Sequence, residues 1–290
     1  YDISHDRPWG WKVSAYLWTK SISAGSFIVA ALAIGLGFVP NDWIFGAVAP
    51  QMALLFLAAT LVLLVLDLKR PERFWRILLW PQWRSWLVIG GYILAAYGLI
   101  LAAWIGAQLL DLHAFDIPLL WLGGILAALS AIYSAFLFRQ ARGRVFWHSQ
   151  LTALHLLVQA IAAGSAALML FAVFDSLVAG TPLKGPGYDF LTYELLGAVI
   201  AHGVLILGEV FSPEEQPEKR RAARLIYGGI FSKLFWGGVV VAGVALPVIA
   251  LAVGFASTPA LAALVSLLVL AGLFLWEHIW VQAGQAVPLS

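Results

Sequence analysis

The sequence predicts an all-α integral membrane protein whose eight transmembrane helices are arranged as two four-helix bundles. Three observations predict this class. Hydrophobic residues make up 62% of the 290 positions and charged residues 11%, against about 45–50% and 25% in soluble domains. There are eight apolar runs, each near the roughly 20 residues with which a helix crosses a bilayer. The 14 tryptophans suit the aromatic belts at the two membrane surfaces.

Each apolar run is too long and too continuous for the alternating strands of a membrane barrel, so every span is predicted to be a helix. The predicted spans cover residues 11–37, 44–66, 86–110, 119–138, 146–174, 191–211, 225–254 and 259–282. We divide the chain into a first bundle, residues 1–145, and a second bundle, residues 146–290.

The connection between the second and third spans has an unusual charge pattern. The apolar run ends in a carboxylate, Asp67, and a mixture of arginines, tryptophans and prolines follows it. Pro71 can occupy the first turn of a helix, where its missing N–H costs nothing. The interleaved aromatic and basic residues predict a helix lying in the membrane surface at about 70–82. We expect this surface to dock a partner through Arg73, Arg76 and Arg84.

Basic residues are concentrated on the side of the membrane that holds the N-terminus, here named side A. Of the 17 lysines and arginines, fourteen fall in side-A loops, and Lys184 alone falls in a loop of the opposite side, side B. The positive-inside rule therefore predicts an inner-membrane protein with side A and both termini in the cytoplasm. The alternative is that the basic surface docks an acidic partner on an exported face.

A weak internal repeat supports the division into halves. The segment AYLWTKSISAGS (15–26) aligns without gaps on LHLLVQAIAAGS (154–165), which pairs Tyr16 with His155 and Lys20 with Gln159. Both segments begin on side A, so the repeat would be parallel, four helices plus four. Small-residue patches are common in packed membrane helices, so chance similarity is the alternative.

Ionisable residues inside a bilayer are costly unless they are paired or hydrated, which makes each a candidate functional residue. The depth of each residue follows from its distance along the helix from the side-A end, at about 1.5 Å per residue. By this measure, one group of residues lies roughly 8–14 Å below side A. It comprises Lys20, Tyr133, His155, His202 and Lys233. A shallower group in the same leaflet comprises Asp67, Glu209, Glu277 and His278. The polar content of the spans is thus gathered on side A.

Some of these residues have alternative interpretations. His148, Thr152, His155 and Gln159 form a polar stripe along one face of the fifth span, and such a stripe must face protein or water. The buried histidines could be structural hydrogen-bonding groups, proton carriers or quinone contacts, or haem ligands. Lys20 could be a site residue or the ion-pair partner of Asp67.

Two motifs carry a resemblance to a known family. DLKRPERFW (67–75), followed by a Trp-Arg-Ser-Trp helix start, resembles the DL-x-RP-x-RF signature of the polysulfide-reductase membrane subunits, the NrfD-like proteins. IYSAFLFRQARGRVFWHS (132–149) is similar to the family's Tyr-containing helix end and the start that follows it, with His148 where Asn is expected. With the small-residue SAG of the first span, the resemblance extends over most of the chain.

The resemblance implies a function. Members of the family anchor multi-subunit oxidoreductases and exchange electrons between membrane quinone and an iron–sulfur subunit, which is often joined to a molybdenum enzyme. Their quinone pocket lies in the first bundle. By the positions of the two motifs, the resemblance implies that Asp67 and Tyr133 belong to this pocket and that Arg70 lies close to it. The first span departs from the family, because Tyr16, Thr19 and Lys20 stand where His or Asn is expected. The residues predicted to bind quinone are Tyr16, Lys20, Asp67, Arg70 and Tyr133.

The predicted function is therefore that of a membrane-anchor subunit exchanging electrons and protons between menaquinone or ubiquinone and a ferredoxin-like iron–sulfur partner, with a molybdopterin-type catalytic subunit beyond it. The sequence has no cysteine, so iron–sulfur clusters are expected only in the partner. We expect surrounding membrane lipid but no covalently bound cofactor, metal site or nucleic-acid partner.

Proton transfer is predicted in the second bundle, through His155, His202, Glu209, Lys233, Glu277 and His278. Two other classes of function remain as alternatives. A proton-coupled transporter would use the same charges to bind its substrate, although transporter sites usually lie near the midplane. A di-haem cytochrome b would show a Soret band.

Overall fold

The computed structural model describes residues 9–212, 216–254 and 258–287, with only the backbone described at Leu78, and all regular secondary structure in these ranges is helical. Eight of the helices are long and apolar enough to cross a membrane, which confirms the predicted fold class. The spans are α1 (Trp11–Gly35), α2 (Trp43–Leu66), α4 (Trp86–Leu109), α5 (Asp116–Arg139), α6 (Thr152–Ala179), α7 (Pro186–Phe211), α9 (Leu234–Ala252) and α10 (Pro259–Ala286). Two shorter helices lie on side A, α3 (Arg76–Leu79) and α8 (Pro217–Tyr227).

Two spans begin later than predicted. The fifth begins at Thr152 because Val145–His148 forms a separate 3₁₀ turn. The seventh begins at Leu234, and its first part, Leu234–Ala245, is π-helical. The residues before it form α8, which buries Ala222, Ala223 and Ile226 on one face. The predicted span began at residue 225, so it included the last residues of α8 and the turn at 228–231.

The predicted surface helix at about 70–82 is shorter than expected. It consists of a 3₁₀ turn, Pro71–Arg73, followed by the single turn of α3. A residue before proline is disfavoured in the helical region. Trp80 precedes Pro81 and has φ −127° and ψ 72°, which ends α3.

The helices pack in the same way in each half of the chain. α1 packs against α2 and α5, and α6 packs in the same manner against α7 and α10. α1 and α6 also pack against each other. This arrangement is consistent with two four-helix bundles that meet along α1 and α6.

The contact between α1 and α6 is made by two glycines at equivalent positions of the internal repeat. A Cβ added at Gly25 would lie 1.7 Å from the carbonyl oxygen of Ala160, and one added at Gly164 would lie 2.0 Å from the carbonyl carbon of Gly25. Neither position can hold a larger residue, so the two backbones touch, as in small-residue helix contacts within membranes.

Towards side B, the space between the halves is filled by an apolar core. Its members come from all the helices that meet there, and they include Val29, Leu168, Leu195, Val199 and Val269. The buried polar residues described below lie on the side-A side of this core.

Candidate functional site

The first polar cluster lies between α1 and α5 and consists of Tyr16, Lys20, Tyr133 and Ser134, here named the Lys20 cluster. The Lys20 side chain is only 1% exposed. Its Nζ donates hydrogen bonds to the carbonyl oxygen of Ala131 at 3.0 Å and to Ser134 Oγ at 2.5 Å. The Tyr16 hydroxyl lies 3.0 Å from the same Ser134 Oγ. Ser134 therefore holds both α1 side chains in place.

Tyr133 packs its ring against this ammonium group. Lys20 Nζ lies 4.6 Å from the centroid of the Tyr133 ring, within the range of a cation–π contact. The ring also lies against the backbone of α4, where a Cβ added at Gly90 would be 2.2 Å from Tyr133 Cε2. The Tyr133 hydroxyl is buried and makes no hydrogen bond within the described part of the chain. Its hydrogen-bonding capacity is therefore unused among the described residues.

Asp67 lies at the side-A end of the first half, as the residue that caps α2. It is half-buried. Burial raises the pKa of the Asp67 carboxyl, and the nearby Lys12 ammonium opposes that rise. Lys12 Nζ also donates to the carbonyl oxygen of Leu66 at 3.2 Å. Among the residues the structure describes, Lys20 donates to Ala131 and Ser134 and not to Asp67, so the predicted alternative of a Lys20–Asp67 ion pair is wrong.

The second polar cluster lies between α6 and α7 and consists of His155, His202 and Glu209, here named the His155 cluster. His155 Nδ1 lies 3.0 Å from Glu209 Oε2, and His155 Nε2 lies 3.0 Å from His202 Nδ1. The ring of Trp276 stacks on His155 with centroids 5.5 Å apart. The two histidines bond to each other, which suits proton exchange and not the opposed geometry of two haem ligands.

The third polar cluster joins α1, α6 and α10 and consists of Ser21, Gln159 and Glu277, here named the Glu277 cluster. The Glu277 side chain is 2% exposed. Gln159 Nε2 donates to Glu277 Oε1. Ser21 Oγ lies 3.5 Å from the same oxygen. Glu277 thus links the two halves of the molecule.

Two residues predicted for proton transfer lie outside these clusters. Lys233 was expected deep in the seventh span, but it immediately precedes Leu234 and its side chain is exposed. Its predicted depth is wrong, because the end of α8 and the turn at 228–231 were counted as the start of that span. His278 is half-buried and faces α1, with Nδ1 3.3 Å from Ser14 Oγ.

The basic residues of the α2–α4 connection are at the surface. Arg70, Arg73, Arg76 and Arg84 are exposed. Arg73 lies 3.9 Å from the carboxylate of Glu72, and the Arg76 guanidinium lies 5.5 Å from the centroid of the Trp75 ring. Trp80 and Trp83 are also largely exposed. This connection combines positive charge with accessible aromatic surface.

Sequence reasoning missed the residues that support the predicted ones. Ser134 and Gly90 organise the Lys20 cluster, yet a serine and a glycine in an apolar helix carry no distinctive signal. Ser21 was likewise not singled out. Gln159 had a signal, because it belongs to the polar stripe of the fifth span and aligns with Lys20 in the repeat.

Comparisons with known proteins agree with this architecture. Residues 3–288 match the family model described as "Polysulphide reductase, NrfD". The sequence is 30% identical over 307 aligned positions to the C subunit of polysulfide reductase from Wolinella succinogenes, an alignment that covers 94% of the relative and 96% of this chain. The resemblance seen in the motifs is confirmed. With eight spanning helices and a family match over nearly its whole length, this protein belongs to the NrfD polysulphide reductase family of multi-pass membrane proteins.

Proposed function

We propose that this protein is the quinone-reactive membrane subunit of a multi-subunit oxidoreductase. It exchanges electrons and protons between membrane quinone, menaquinone or ubiquinone, and an iron–sulfur subunit bound on side A. That subunit is in turn joined to a molybdopterin-type catalytic subunit. The name of the relative, which denotes one lettered subunit of a polysulfide reductase, supports assembly with further subunits. The charge bias of the loops supports a cytoplasmic location for side A.

The observation that carries the proposal is the pair of hydrogen-bond donors in the Lys20 cluster. An ammonium group has three donors, and Lys20 uses two of them on Ala131 and Ser134 within the described part of the chain. Beside it, the buried Tyr133 hydroxyl is unpaired among the described residues. Buried polar groups are normally hydrogen-bonded. A quinone carbonyl is an acceptor that fits these two donors.

A bound quinone supplies chemistry that takes up or releases two electrons and two protons. Lys20 and Tyr133 would orient a carbonyl oxygen and stabilise negative charge that develops on it. Asp67 would exchange protons with water at the side-A surface, since burial raises the pKa of its carboxyl towards the range useful for acid–base chemistry. Tyr16 would position Lys20 through Ser134. Electrons would pass between the site and a redox centre in the partner, because the sequence has no cysteine to hold an iron–sulfur cluster.

The exposed connection between α2 and α4 is the proposed docking surface for the iron–sulfur subunit. Arg73, Arg76 and Arg84 supply charge, and Trp80 and Trp83 supply the large aromatic area that is typical of protein interfaces. Arg70 begins the same surface and is three residues after Asp67 in the sequence. Docking here would bring the partner's redox centre to the side of the membrane on which the Lys20 cluster lies.

The transporter alternative receives less support from the structure. Alternating access needs a site that can open to both sides. The polar clusters lie towards side A, and an apolar core of residues such as Val29, Leu168 and Val199 fills the side-B half of the interface. This distribution favours a pocket served from one surface and from the lipid.

The proposal is tested by comparing two buried tyrosines of the first half. Tyr133→Phe removes the unpaired hydroxyl, whereas Tyr97→Phe removes a hydroxyl that donates to the carbonyl oxygen of Ser23 at 3.0 Å. Quenching of tryptophan fluorescence by short-chain menaquinone and ubiquinone analogues measures binding to the full-length protein in its complex. We expect Tyr133→Phe to weaken binding about 3- to 10-fold, the value of one hydrogen bond.

Tyr97→Phe is the control for general damage. We expect it to lower the free energy of unfolding by about 1 kcal/mol and to leave quinone affinity unchanged. Absence of quinone binding by the wild-type protein, or equal affinity losses in the two variants, would contradict the proposed function.

A further inference from the structure

We infer that the His155 and Glu277 clusters form a one-sided proton route, which opens only on side A and ends at α1 beside Lys20. The route supplies the quinone pocket of the first half through the second half, without carrying protons across the membrane. The inference rests on the proposed function, since it names a second source of protons for the quinone pocket, beside the exchange with water at Asp67.

The entrance is a cavity of about 220 Å³ on side A, between the start of α6, the end of α7 and α8. Its walls include Ser149, Ser212, Arg224 and Tyr227. The carboxyl group of Glu209 lies at its inner end, because Glu209 lines this cavity as well as a second, smaller one. The Glu209 side chain is only 4% exposed. Glu209 thus stands between the aqueous surface and the interior.

The second cavity connects the two clusters. It has a volume of about 10 Å³ and is lined by residues of both clusters, together with Thr152. Three buried oxygens of its lining residues, Thr152 Oγ1, Glu209 Oε1 and Glu277 Oε2, make no hydrogen bond to any described residue. A water molecule needs about 10–15 Å³ and usually makes about three hydrogen bonds. The cavity is just large enough for a single water molecule and its walls are mostly apolar, so the three unpaired oxygens would be the groups that hold this water and join Glu209 to Glu277.

Glu277 carries the route from the second half into the first. Its Oε1 atom accepts from Gln159 of α6 and lies 3.5 Å from Ser21 Oγ of α1. Ser21 is the next residue after Lys20 in α1. A proton on Glu277 therefore lies at the boundary of the proposed quinone pocket.

The route is closed towards side B. From His202, the buried residues of α7 in that direction are Val199, Ala198, Leu195 and Leu191. Val199, Leu195 and Leu191 pack within the apolar core. These side chains of α7 offer no hydrogen-bonding group to a proton. His202 is a side branch and not a step towards the opposite surface.

The test uses the complete complex in membranes and the matched variants Glu277→Gln and Glu194→Gln. Glu194 is a half-buried acid of α7 that lies outside the three clusters, on the side-B half. We expect Glu277→Gln to slow quinone-linked turnover at least about 10-fold, as for loss of a proton-transferring group. Affinity for the short-chain menaquinone analogue should change less than about 2-fold, and Glu194→Gln should alter neither quantity.

Glu209→Gln gives a second variant near the entrance, in case Glu277→Gln does not fold. It should slow turnover in the same way, again with unchanged affinity. Wild-type turnover in Glu277→Gln and Glu209→Gln would overturn the proton route but leave the quinone site intact. Loss of quinone binding by the wild-type complex would overturn the proposed function and the route together.

Sidedness is tested in sealed vesicles with side A outward and a pH indicator trapped inside. During quinone-linked turnover, we expect the external medium near side A to change pH while the trapped indicator stays constant. An internal pH change proportional to turnover, abolished by Glu277→Gln, would show that the route crosses the membrane and would overturn the inference.

Discussion

The two halves of the molecule share one packing plan but hold different chemistry. Lys20 and Gln159 occupy equivalent positions of the repeat, and each bonds to the fourth spanning helix of its own half. Lys20 reaches Ser134 of α5, and Gln159 reaches Glu277 of α10. The repeat therefore determines where a polar side chain points, and the residue type determines what it can do there.

The residue types differ systematically. At the position where the first half has Tyr16, the second has His155, whose two ring nitrogens contact Glu209 and His202. An ammonium group and phenols are hydrogen-bond donors that titrate far from neutral pH in water, whereas imidazole and carboxyl groups exchange protons more readily. The comparison supports our proposal that the first half binds the ligand and that the second half supplies protons to it.

The largest expected effect concerns the point at which the halves meet. Gly25→Ala would place a methyl group within 1.7 Å of the Ala160 carbonyl oxygen, whereas Gly197 of α7 has no atom within 4 Å of an added Cβ. We expect Gly25→Ala to lower the free energy of unfolding by about 3 kcal/mol, at the upper end of ordinary overpacking. Gly197→Ala should raise it by about 0.5–1 kcal/mol. Denaturation in detergent measures both, and equal stabilities would contradict the backbone contact.

The second largest expected effect is on ligand binding, and it compares the buried Lys20 of the first half with the exposed Lys233 of the second half. Lys20→Met removes the ammonium from the proposed pocket, whereas Lys233→Met removes an exposed ammonium at the start of α9. Hydrogen bonds to charged groups are worth about 1.5–3 kcal/mol, so Lys20→Met should weaken binding of the menaquinone analogue about 10- to 100-fold. Lys233→Met should leave it unchanged. Similar affinities for the two variants would remove Lys20 from the site.

The smallest effect concerns the acid at the side-A edge of the first half. Burial raises the pKa of Asp67, and Lys12 holds that rise back. In Lys12→Met the pKa of Asp67 should therefore rise further, and the limb of the pH–rate profile that reports Asp67 should move to higher pH, by less than for a fully buried pair.

Lys69→Met is the matched control, since Lys69 is exposed and two residues from Asp67. It should leave the profile in place. A shift of the limb to lower pH in Lys12→Met would contradict the assigned role of Lys12, because loss of a positive neighbour cannot lower the pKa of a carboxyl group.

The sequence predicted the spans and the side-A layer of polar residues because both depend on hydropathy and spacing along single helices. It did not predict which groups pair, because that depends on how helices face one another. Lys20 was a candidate partner of Asp67, yet it bonds to Ser134 across α1 and α5. The error at Lys233 arose because the end of α8 and the turn after it are apolar, so hydropathy alone does not separate them from the seventh span.

The glycine contact between α1 and α6 also sets how wide the interface is at each depth. Two crossed helices that touch at one point diverge on either side of it. One turn from Gly25 towards side A, Ser21 lies in the interface between α1 and α6. Gln159 and Glu277 lie close to it. Further out the interface holds bulkier groups and the cavity of about 10 Å³. The interface is narrowest at the glycine contact and wider towards side A, where the proposed proton route has room for a single water molecule.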